Sequence, residues 1–372
     1  MKIVIDARAL GSCPSGIGFH IYDFVKELAK KAEFEITLLT DVAESSQMHG
    51  LKQMGVSVWC YGSRVFRSIE IYRYFLFVRR FLVHWQPDLF WEPNHLLPVS
   101  LKGYHGKTVV TIHDLFPLSR KEHFSWYYRL YFLSGIRGSA GRADAFLFNS
   151  KETEKQAIKC FPEIWGKERY ISYPIVRKPP GRPVCDGGFF LYIGNLEMRK
   201  GTDILLDSYR LYRKGGGKRP LVLGGNIREK KIGRMLAQYQ AECSKLHYLG
   251  YVKEKKKYDL LASCACFVFP SRAEGFGVPP LEAMAYGKPL ITSDLSIFSE
   301  TLPVSVPAFS LKADPKKQAE DLAALMLEES WKAAPLVPWQ AIEELYGAAL
   351  AGERLAHFFK RTAEEKDCRE NA

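Results

Sequence analysis

Residues 266–293 read CFVFPSRAEGFGVPPLEAMAYGKPLITS, and their pattern predicts a strand, then a helix, then a second strand. The apolar run CFVFPS is typical of a buried strand. Pro279 and Pro280 suit the first turn of a helix, because backbone nitrogens need no hydrogen bond there. The run KPLITS then resumes the strand pattern. A strand that returns through a helix to a parallel neighbour is the repeating unit of doubly wound α/β folds.

The same alternation of short β-rich runs and helical patterns extends along the whole chain. The runs that predict strands are KIVIDA, EITLLT, DLFWEP, TVVTIHD and AFLFNS in the first half, and GFFLYIGN, PLVLGG, LHYLG, CFVFPS and KPLITS in the second. Residues 173–188, YPIVRKPPGRPVCDGG, are rich in proline and glycine and lack periodicity, so they predict a linker. The chain is therefore expected to form two doubly wound α/β domains that face each other across a cleft.

The predicted organisation has four parts. They are a first domain over residues 1–175, a second over 176–335, a helical segment over 336–362 and a disordered tail over 363–372. The length of 372 residues supports two domains, since one domain usually has about 100 to 200.

The formal net charge of +12 predicts an anionic partner, which could be nucleic acid, a membrane surface or a phosphorylated small molecule. The opening MKIVIDARAL carries Asp6 and Arg8 within its apolar run, unlike a signal peptide. No run reaches the ~18 apolar residues of a membrane-spanning helix. The eight cysteines form neither a zinc pattern nor a disulfide framework, which favours a cytoplasmic location.

Glu274 and Glu282 lie on either side of the Gly275–Phe276–Gly277 turn. Glu274 follows a predicted strand, at the carboxyl end where doubly wound domains bind ligands. The two glycines allow close approach of the backbone to a ligand, and the start of the next helix attracts anions. Each carboxylate alone could simply balance a helix terminus. Together these features predict a pocket for a sugar joined to phosphate.

A second candidate loop follows the strand that opens the second domain. Gly194 and Asn195 end this strand, and Arg199 and Lys200 come shortly after them. Two adjacent cations at the carboxyl end of a strand could neutralise a diphosphate, with arginine as a fork and lysine as a point charge. A solvated basic loop is the alternative.

The first domain offers further candidates. Gly16 opens a predicted amphipathic helix and could let backbone amides reach a phosphate. The third glycine of a dinucleotide fingerprint is missing, so NAD binding is poorly supported. His113 and Asp114 come at the carboxyl end of the strand TVVTI, on the side of the predicted cleft. A lone histidine is more often structural.

With these motifs in place, the sequence resembles the family-four retaining glycosyltransferases, whose B-type fold has two facing Rossmann-like domains. The most specific match is EGFGVPPLEAMAYGKPLITS, in which Glu274 and Glu282 have the family's spacing. GNLEMRKG, LHYLGYV, SGIG and TIHD match further family motifs, and FNSKET takes the place of a serine-containing motif. VPWQAIEELYGAAL resembles the closing helix that crosses back to the first domain.

The resemblance implies that Arg199 and Lys200 hold the donor diphosphate, while Glu282 binds the ribose. The implied catalytic residues are His113, Arg199, Lys200 and Glu274, the implied donor-binding residues are Gly16, Gly194, Asn195, Tyr251, Val252, Gly275, Phe276, Gly277 and Glu282, and Asp114 lies on the acceptor side. The resemblance further implies a UDP-, GDP- or dTDP-linked sugar as donor, no metal and no other cofactor. It also implies a glycan or lipid-linked acceptor, in surface polysaccharide or glycolipid synthesis.

Residues 64–85, RVFRSIEIYRYFLFVRRFLVHW, combine arginines with aromatic residues. They predict attachment to an anionic membrane surface, on the inner face of the cell membrane. Arg79 falls outside the helix face that Arg73, Arg80 and His84 share. An ordinary buried helix with solvated arginines is the alternative.

Two other functions stay open from the sequence. A nucleotide-sugar epimerase on the same fold would bind the same donor and process it without an acceptor. A basic nucleic-acid-binding protein would account for the charge, but no recognition motif of that class is present in the sequence.

Overall fold

The structure is a computed structural model that describes residues 1–11, 14, 16–42, 45–62, 68–119, 124–181 and 185–364. It divides into two units, unit 1 with Met1–Ile175 and Ala348–Ala372, and unit 2 with Val176–Gly347. Each unit contains an open sheet of parallel strands with helices around it. The predicted pair of doubly wound α/β domains is therefore confirmed.

The sheet of unit 1 has seven strands. They are β1 (Lys2–Asp6), β2 (Glu35–Thr40), β3 (Ser57–Cys60), β4 (Leu89–Glu92), β5 (Lys107–Ile112), β6 (Ala145–Phe148) and β7 (Glu168–Ile171). Their order in the sheet is β3-β2-β1-β4-β5-β6-β7. The order reverses between β1 and β4, and the carboxyl ends at such a reversal are where ligands bind in this class of fold.

The helices of unit 1 cover both faces of this sheet. Those that precede unit 2 are α1 (Gly16–Leu28), α2 (Ser46–Gln53), α3 (Ser68–Trp85), α4 (Phe116–Ser119), α5 (Trp126–Arg142) and α6 (Lys151–Cys160). Ile5 and Trp91 pack on one face with Phe24 of α1, whereas Phe90 packs on the other face with Tyr74 of α3. Both faces of the strands are buried, which explains their nearly continuous apolar sequences.

Unit 2 repeats the architecture with a six-stranded sheet. Its strands are β8 (Phe190–Ile193), β9 (Leu221–Gly224), β10 (Leu246–Tyr248), β11 (Cys266–Phe269), β12 (Leu290–Ser293) and β13 (Ala308–Phe309). Its helices are α7 (Thr202–Lys214), α8 (Lys230–Glu242), α9 (Glu254–Ser263), α10 (Val278–Ala285), α11 (Ser296–Thr301), α12 (Pro315–Glu328) and α13 (Trp339–Tyr346). The sheet order is β10-β9-β8-β11-β12-β13, so the loops that follow β8 and β11 are neighbours.

The segment 336–362, predicted as one closing helix, contains two helices. α13 belongs to unit 2, whereas α14 (Ala348–Glu364) belongs to unit 1 and packs on α1. Gly347 interrupts the helical path because its backbone is extended, with φ −68° and ψ 147°. Close packing of α14 needs Gly352, where a Cβ would lie 2.5 Å from the Cβ of Glu27.

The predicted linker and tail have no strand among their described residues. The linker, residues 173–188, lies between β7 and β8, and residues 182–184 within it are outside the described part of the chain. The tail was predicted to begin at residue 363, but α14 continues through residue 364. The remaining residues, 365–372, are outside the described residues.

Candidate active site

The loop between β11 and α10 carries Glu274, and α10 itself carries Glu282, the second carboxylate that the sequence indicated. The loop ends at Gly277, which has φ +95° and immediately precedes α10. Glycine is required here because this backbone is strained for other residues, and a Cβ would also lie 2.8 Å from the ring of Phe298. The helix then begins with Pro279 and Pro280 in its first turn, as the sequence predicts.

Phe276 anchors the Gly-Phe-Gly turn in unit 2. Its ring is buried with its centroid 5.4 Å from that of Tyr346, and its carbonyl oxygen accepts a hydrogen bond of 3.2 Å from the Thr301 hydroxyl. The side chain is therefore part of the core. A ligand at this turn would meet the backbone of Gly275 and Gly277.

The loop after β8 packs directly on the loop after β11. Gly201 ends a short 3-10 turn, Met198–Lys200, with φ +67°. A Cβ on Gly201 would lie 1.9 Å from the carbonyl oxygen of Pro270. In addition, the backbone N–H of Arg272 donates to the carbonyl oxygen of Arg199 at 2.9 Å. The two loops are thus fixed to each other by their backbones.

Lys200 and Glu274 form an ion pair between these loops. The Lys200 Nζ lies 2.7 and 2.8 Å from the two carboxylate oxygens of Glu274. The side chains are only 16% and 7% exposed. A charge buried to this extent is costly without its partner, so each residue holds the other in place. An ammonium has three donors, and two bonds to Glu274 leave one for a ligand oxygen.

Two arginines brace the same loops. Arg199 donates to the carbonyl oxygen of Ala273 at 3.1 Å and to the carboxylate of Glu197 at 2.5 Å. Arg272, which the sequence did not single out, donates to both carboxylate oxygens of Asp203 at 2.5 and 2.8 Å. Such bidentate pairs fix the geometry of the guanidinium. Three cationic side chains therefore lie on these loops, each held by a carboxylate.

Glu282 lies on α10 and has a different partner. The Nζ of Lys257, on α9, is 2.6 Å from its Oε1, and both side chains are mostly buried. The two predicted carboxylates thus belong to two separate ion pairs. Lys257 could not be found from the sequence, because it is 25 residues away in a lysine-rich stretch without any distinguishing pattern.

The other predicted donor-side residues lie at the carboxyl ends of β8, β9 and β10. Gly225 has φ +141°, and a Cβ on it would lie 1.8 Å from the carbonyl oxygen of Gly194. The carbonyl oxygen of Asn195 accepts a hydrogen bond of 2.8 Å from a buried tyrosine hydroxyl. Val252 packs against the end of β9, whereas Tyr251 beside it is exposed. These residues therefore share one edge of the sheet with Lys200 and the neighbouring cations.

In unit 1, His113 follows β5 and lies among buried histidines. Its Nε2 is 2.8 Å from the carbonyl oxygen of Pro93, and its ring centroid is 4.9 Å from that of His20 and 5.6 Å from that of His95. Burial, with a smaller effect of His95, lowers the pKa of His113 to about 4. The ring is therefore neutral near neutral pH. Since a carbonyl oxygen only accepts, the proton is on Nε2.

The other predicted residues of unit 1 are Asp114 and Gly16. The carboxylate of Asp114 accepts a hydrogen bond of 3.1 Å from the N–H of Phe116, at the start of α4. Gly16 begins α1 and is exposed, and a Cβ on it would meet nothing within 4 Å. At Gly18, by contrast, a Cβ would lie 2.2 Å from the carbonyl oxygen of Ala9. Packing of this turn therefore requires Gly18 and tolerates a side chain at Gly16.

Two kinds of feature are missing from the described residues. No group of three or more His, Cys, Asp or Glu side chains there could hold a metal ion. Nor does any helix in the described ranges combine the length and the apolar character needed to cross a membrane.

Comparison with protein families gives two matches. Residues 14–167 match the model described as Glycosyltransferase Family 4, and residues 181–335 match the one described as Glycosyl transferases group 1. The chain is a family-four glycosyltransferase. Membership confirms the resemblance that the motifs carried, and it supports neither the epimerase nor the nucleic-acid-binding alternative.

Relatives of this glycosyltransferase include characterised proteins and solved structures. O-antigen chain mannosyltransferase B of Escherichia coli is 27% identical over 361 residues, which cover 89% of this chain and 92% of that protein. D-rhamnosyltransferase WbpZ of Pseudomonas aeruginosa is 36% identical over 114 residues, which cover 29% of this chain and 27% of that protein. The crystal structure of Anabaena Alr3699/HepE in complex with UDP-glucose has a TM-score of 0.72, 16% identity and coverage of 97% of this chain and 100% of that chain. That likeness establishes the B-type glycosyltransferase fold.

Proposed function

We propose that this glycosyltransferase moves a hexose from a nucleoside diphosphate sugar to a glycan or lipid-linked acceptor, with retention of configuration, in surface polysaccharide or glycolipid synthesis. The donor assignment rests on the Lys200–Glu274 pair beside Arg199 at the carboxyl edge of the sheet in unit 2. The acceptor class is supported by a relative that is an O-antigen chain mannosyltransferase. The donor class is supported by a structural neighbour solved with UDP-glucose.

In the proposed donor complex, Arg199 and Lys200 bind the diphosphate. Glu274 and the backbone of residues 275–277 bind the sugar, and Glu282 accepts hydrogen bonds from the ribose hydroxyls. The further donor contacts that we assign are Gly16, Gly194, Asn195, Phe276 through its backbone, Tyr251 and Val252. We assign His113 and Asp114 to the acceptor side.

In the chemical step, the bond between the anomeric carbon and the β-phosphate oxygen breaks. The acceptor oxygen bonds to that carbon, and its proton passes to the departing phosphate. Negative charge grows on the diphosphate meanwhile. Arg199 and Lys200 are already fixed by Glu197 and Glu274, so little reorganisation is needed to meet that charge. One such preorganised donor is typically worth about 10²- to 10³-fold in rate.

Glu274 is assigned to hydroxyl binding and not to nucleophilic attack. Both of its carboxylate oxygens accept hydrogen bonds from Lys200, which lowers their nucleophilicity. Attack of the acceptor on the same face as the departing phosphate accounts for retention without a covalent intermediate.

The proposal also concerns metal ions. Arg199 and Lys200 supply the charge that a divalent ion supplies in other transferases, so we expect activity to survive chelation. The assay compares turnover with and without EDTA. Loss of turnover that Mg²⁺ or Mn²⁺ restores would contradict this part of the proposal.

The proposed membrane-docking surface lies on α3. Arg73, Arg80 and His84 are exposed on this helix, whereas Arg79 is half-buried and donates to a backbone carbonyl oxygen at 3.3 Å. Residues 64–67 of the predicted docking stretch lie outside the described residues. A Lys or Arg side chain near an anionic surface contributes about 1 kcal/mol of attraction, which favours docking through Arg73 and Arg80.

Aromatic side chains accompany these cations. Trp85 at the end of α3 is exposed, and its ring centroid lies 5.7 Å from that of Trp59, which is exposed on the edge strand β3. Flotation with phosphatidylglycerol vesicles tests the surface. We expect binding at low salt that Arg73→Ala/Arg80→Ala weakens. Equal flotation with neutral and anionic vesicles would contradict it.

A thermal-shift panel of UDP, GDP, dTDP and their hexose conjugates tests donor binding. A ligand at 100 times its Kd adds about 2.7 kcal/mol to the free energy of unfolding and raises the Tm. The control is the double variant Lys200→Met/Glu274→Gln, which removes both charges of the buried pair. We expect at least one nucleotide to stabilise the wild type and to have little effect on the variant. No shift with any nucleotide would contradict the proposed function.

A further inference from the structure

The carboxyl edge of the sheet in unit 1 concentrates buried polar atoms with unmet hydrogen bonds. Within the described part of the chain, five buried atoms at this edge have no hydrogen-bond partner. They are Nδ1 and Nε2 of His20, Nδ1 of His95, Oδ1 of Asn149 and Oε2 of Glu92. Glu92 ends β4, His95 follows it, and Asn149 follows β6. Buried polar atoms are costly without partners, so a cluster of them indicates that a polar ligand completes the site.

Arg8 adds a rigid donor to this edge. Its Nε lies 3.0 and 2.9 Å from the two carboxylate oxygens of Asp6, and its Nη2 lies 2.8 Å from one of them. The guanidinium also lies over the rings of Tyr74 and Phe75, 4.5 and 4.9 Å from their centroids. Its Nη1 donates to no described residue, and the side chain is partly exposed. A guanidinium held in this way is a preorganised donor with one open edge.

The charges around Arg8 cancel. Asp6 neutralises the guanidinium, and Glu92 ends the strand next to that of Asp6. Burial, followed by the charge of Asp6, raises the pKa of Glu92 well above its ordinary value, which favours the uncharged form of this carboxyl group. An anion would leave a net negative charge in a buried place, whereas hydroxyl groups would not. The balance favours a neutral ligand rich in hydroxyl groups.

The start of α5 carries exposed aromatic and aliphatic side chains, and Tyr131 among them lies near Arg8. The exposed residues are Trp126, Tyr127, Tyr128, Leu130 and Tyr131. Trp126 is 74% and Tyr131 is 42% exposed. Burial raises the pKa of Tyr131, and Arg8 and Glu92 are the charged groups close enough to act on its hydroxyl. A contiguous exposed apolar patch marks a binding surface. Flat rings with a polar hydroxyl suit the apolar faces of sugars.

We propose that Arg8, Glu92 and Tyr131 form a hydroxyl-binding subsite for a neutral sugar ring of the acceptor, and that the aromatic start of α5 binds the adjoining sugars. This inference rests on the proposed function, because it takes the acceptor to be a saccharide. Nη1 of Arg8 donates a hydrogen bond to one ring hydroxyl, and the carboxyl group of Glu92 forms a hydrogen bond with the adjacent hydroxyl. The ring of Tyr131 packs on the sugar. Asp6 and Tyr74 are positioning residues, since they act through Arg8.

The test is saturation-transfer NMR on the full chain with neutral disaccharides of mannose, glucose and galactose. We expect at least one disaccharide to bind the wild type. Arg8→Lys and Tyr131→Ala should each weaken that binding about tenfold, the effect of losing one hydrogen bond to a charged group or one packed ring. Lysine keeps the charge but not the fork, so a loss in Arg8→Lys shows that the guanidinium geometry matters.

The matched control is Trp165→Ala. Trp165 is 67% exposed and precedes β7, at the opposite edge of the same sheet, so saccharide binding should be unchanged. Circular dichroism checks that each variant is folded. Tyr131 is exposed, and Tyr131→Ala therefore tests the subsite even if Arg8→Lys disturbs folding.

UDP, GDP and dTDP binding on the same samples separates this inference from the proposed function. If no nucleotide binds the wild type, the proposed function fails. If nucleotides bind and saccharide binding is absent in the wild type, or equal in Arg8→Lys and Tyr131→Ala, the inference alone fails. If inorganic phosphate binds the wild type and Arg8→Lys abolishes that binding, the subsite binds an anion and the proposal of a neutral sugar is wrong. If the wild type binds phosphatidylglycerol vesicles and Tyr131→Ala does not, the aromatic residues of α5 bind a membrane and the proposal that they bind sugars is wrong.

Discussion

The carboxyl edges of the two sheets differ in whether their polar side chains are charged and paired. In unit 2 the cations are paired with carboxylates, and the Lys200–Glu274 pair is the most buried example. In unit 1 the buried histidines are neutral, and His20, His95 and Glu92 have atoms without a partner among the described residues. The same fold thus builds one edge around paired cations, and the other largely from uncharged donors and acceptors beside the Arg8–Asp6 pair. Fixed charges suit a diphosphate, and uncharged groups suit hydroxyls.

The largest expected effect comes from breaking the charge pair of unit 2. Lys200→Met removes a cation from the proposed diphosphate site and leaves the 7% exposed carboxylate of Glu274 without it. We expect kcat to fall by about 10²- to 10³-fold. The free energy of unfolding should fall by about 3–5 kcal/mol, because the remaining buried charge is unpaired. Steady-state kinetics and urea unfolding measure the two effects.

The control for that variant is Lys200→Met/Glu274→Gln. Without either charge, folding stability should return most of the way to wild type, while kcat should stay low. Wild-type turnover in this double variant would show that the pair has only a structural role.

The pH dependence of the free energy of unfolding tests whether the buried histidines of unit 1 are neutral. Burial lowers the pKa of both His95 and His113 from 6.5 to about 4. Between pH 6.5 and 4 the unfolded chain therefore binds protons that the folded chain does not. The free energy of unfolding should fall as the pH drops through this window, by up to about 1.4 kcal/mol per pH unit for each histidine. Urea unfolding at several pH values measures the slope, and His95→Gln should reduce it by one proton. An unchanged slope would argue against a neutral buried histidine.

Variants of Glu282 and Arg199 should affect donor affinity and kcat differently. Glu282→Ala removes the proposed hydrogen-bond acceptor for the ribose, so donor affinity should fall by about 10- to 100-fold, or about 1.4–2.7 kcal/mol, with kcat largely retained. Arg199→Ala should lower kcat more than affinity, because its charge meets the departing diphosphate. Calorimetry with the nucleotide and steady-state kinetics measure both. Unchanged values in the two variants would contradict the donor assignments.

The smallest predicted effect compares one glycine from each unit. Gly201→Ala puts a side chain at φ +67°, where the Cβ would lie 1.9 Å from a carbonyl oxygen, and should cost about 1–3 kcal/mol of stability. Gly16→Ala meets nothing within 4 Å and should change stability by less than about 0.5 kcal/mol. Urea unfolding of both variants checks the difference, and equal stabilities would contradict the packing of the two loops in unit 2.

Much of the fold could be predicted, and the exceptions share a cause. Every strand that the sequence indicated is present, whereas β3, β7 and β13 were missed. All three lie at sheet edges. The edge strands SVWC and ERYI are exposed or half-buried, so their sequences lack the apolar runs that mark central strands.

From the sequence, only those site residues that directly follow a predicted strand could be identified. Arg199, Lys200 and Glu274 follow predicted strands, and the structure brings them together. Their pairing was not predictable, because the partners are 74 residues apart. Glu92 was read as an ordinary residue of the strand DLFWEP. A carboxylate at the end of a buried apolar run was the signal that could have identified it.

The central claim is that the carboxyl edge of unit 2 binds the donor diphosphate. It is tested most directly by a crystal structure of the full chain with the nucleoside diphosphate that stabilises it best. We predict a β-phosphate oxygen within hydrogen-bond distance, about 2.7–3.2 Å, of the Lys200 Nζ, with Arg199 beside it. A diphosphate bound elsewhere, with Lys200 still bonded to Glu274 alone, would contradict the account.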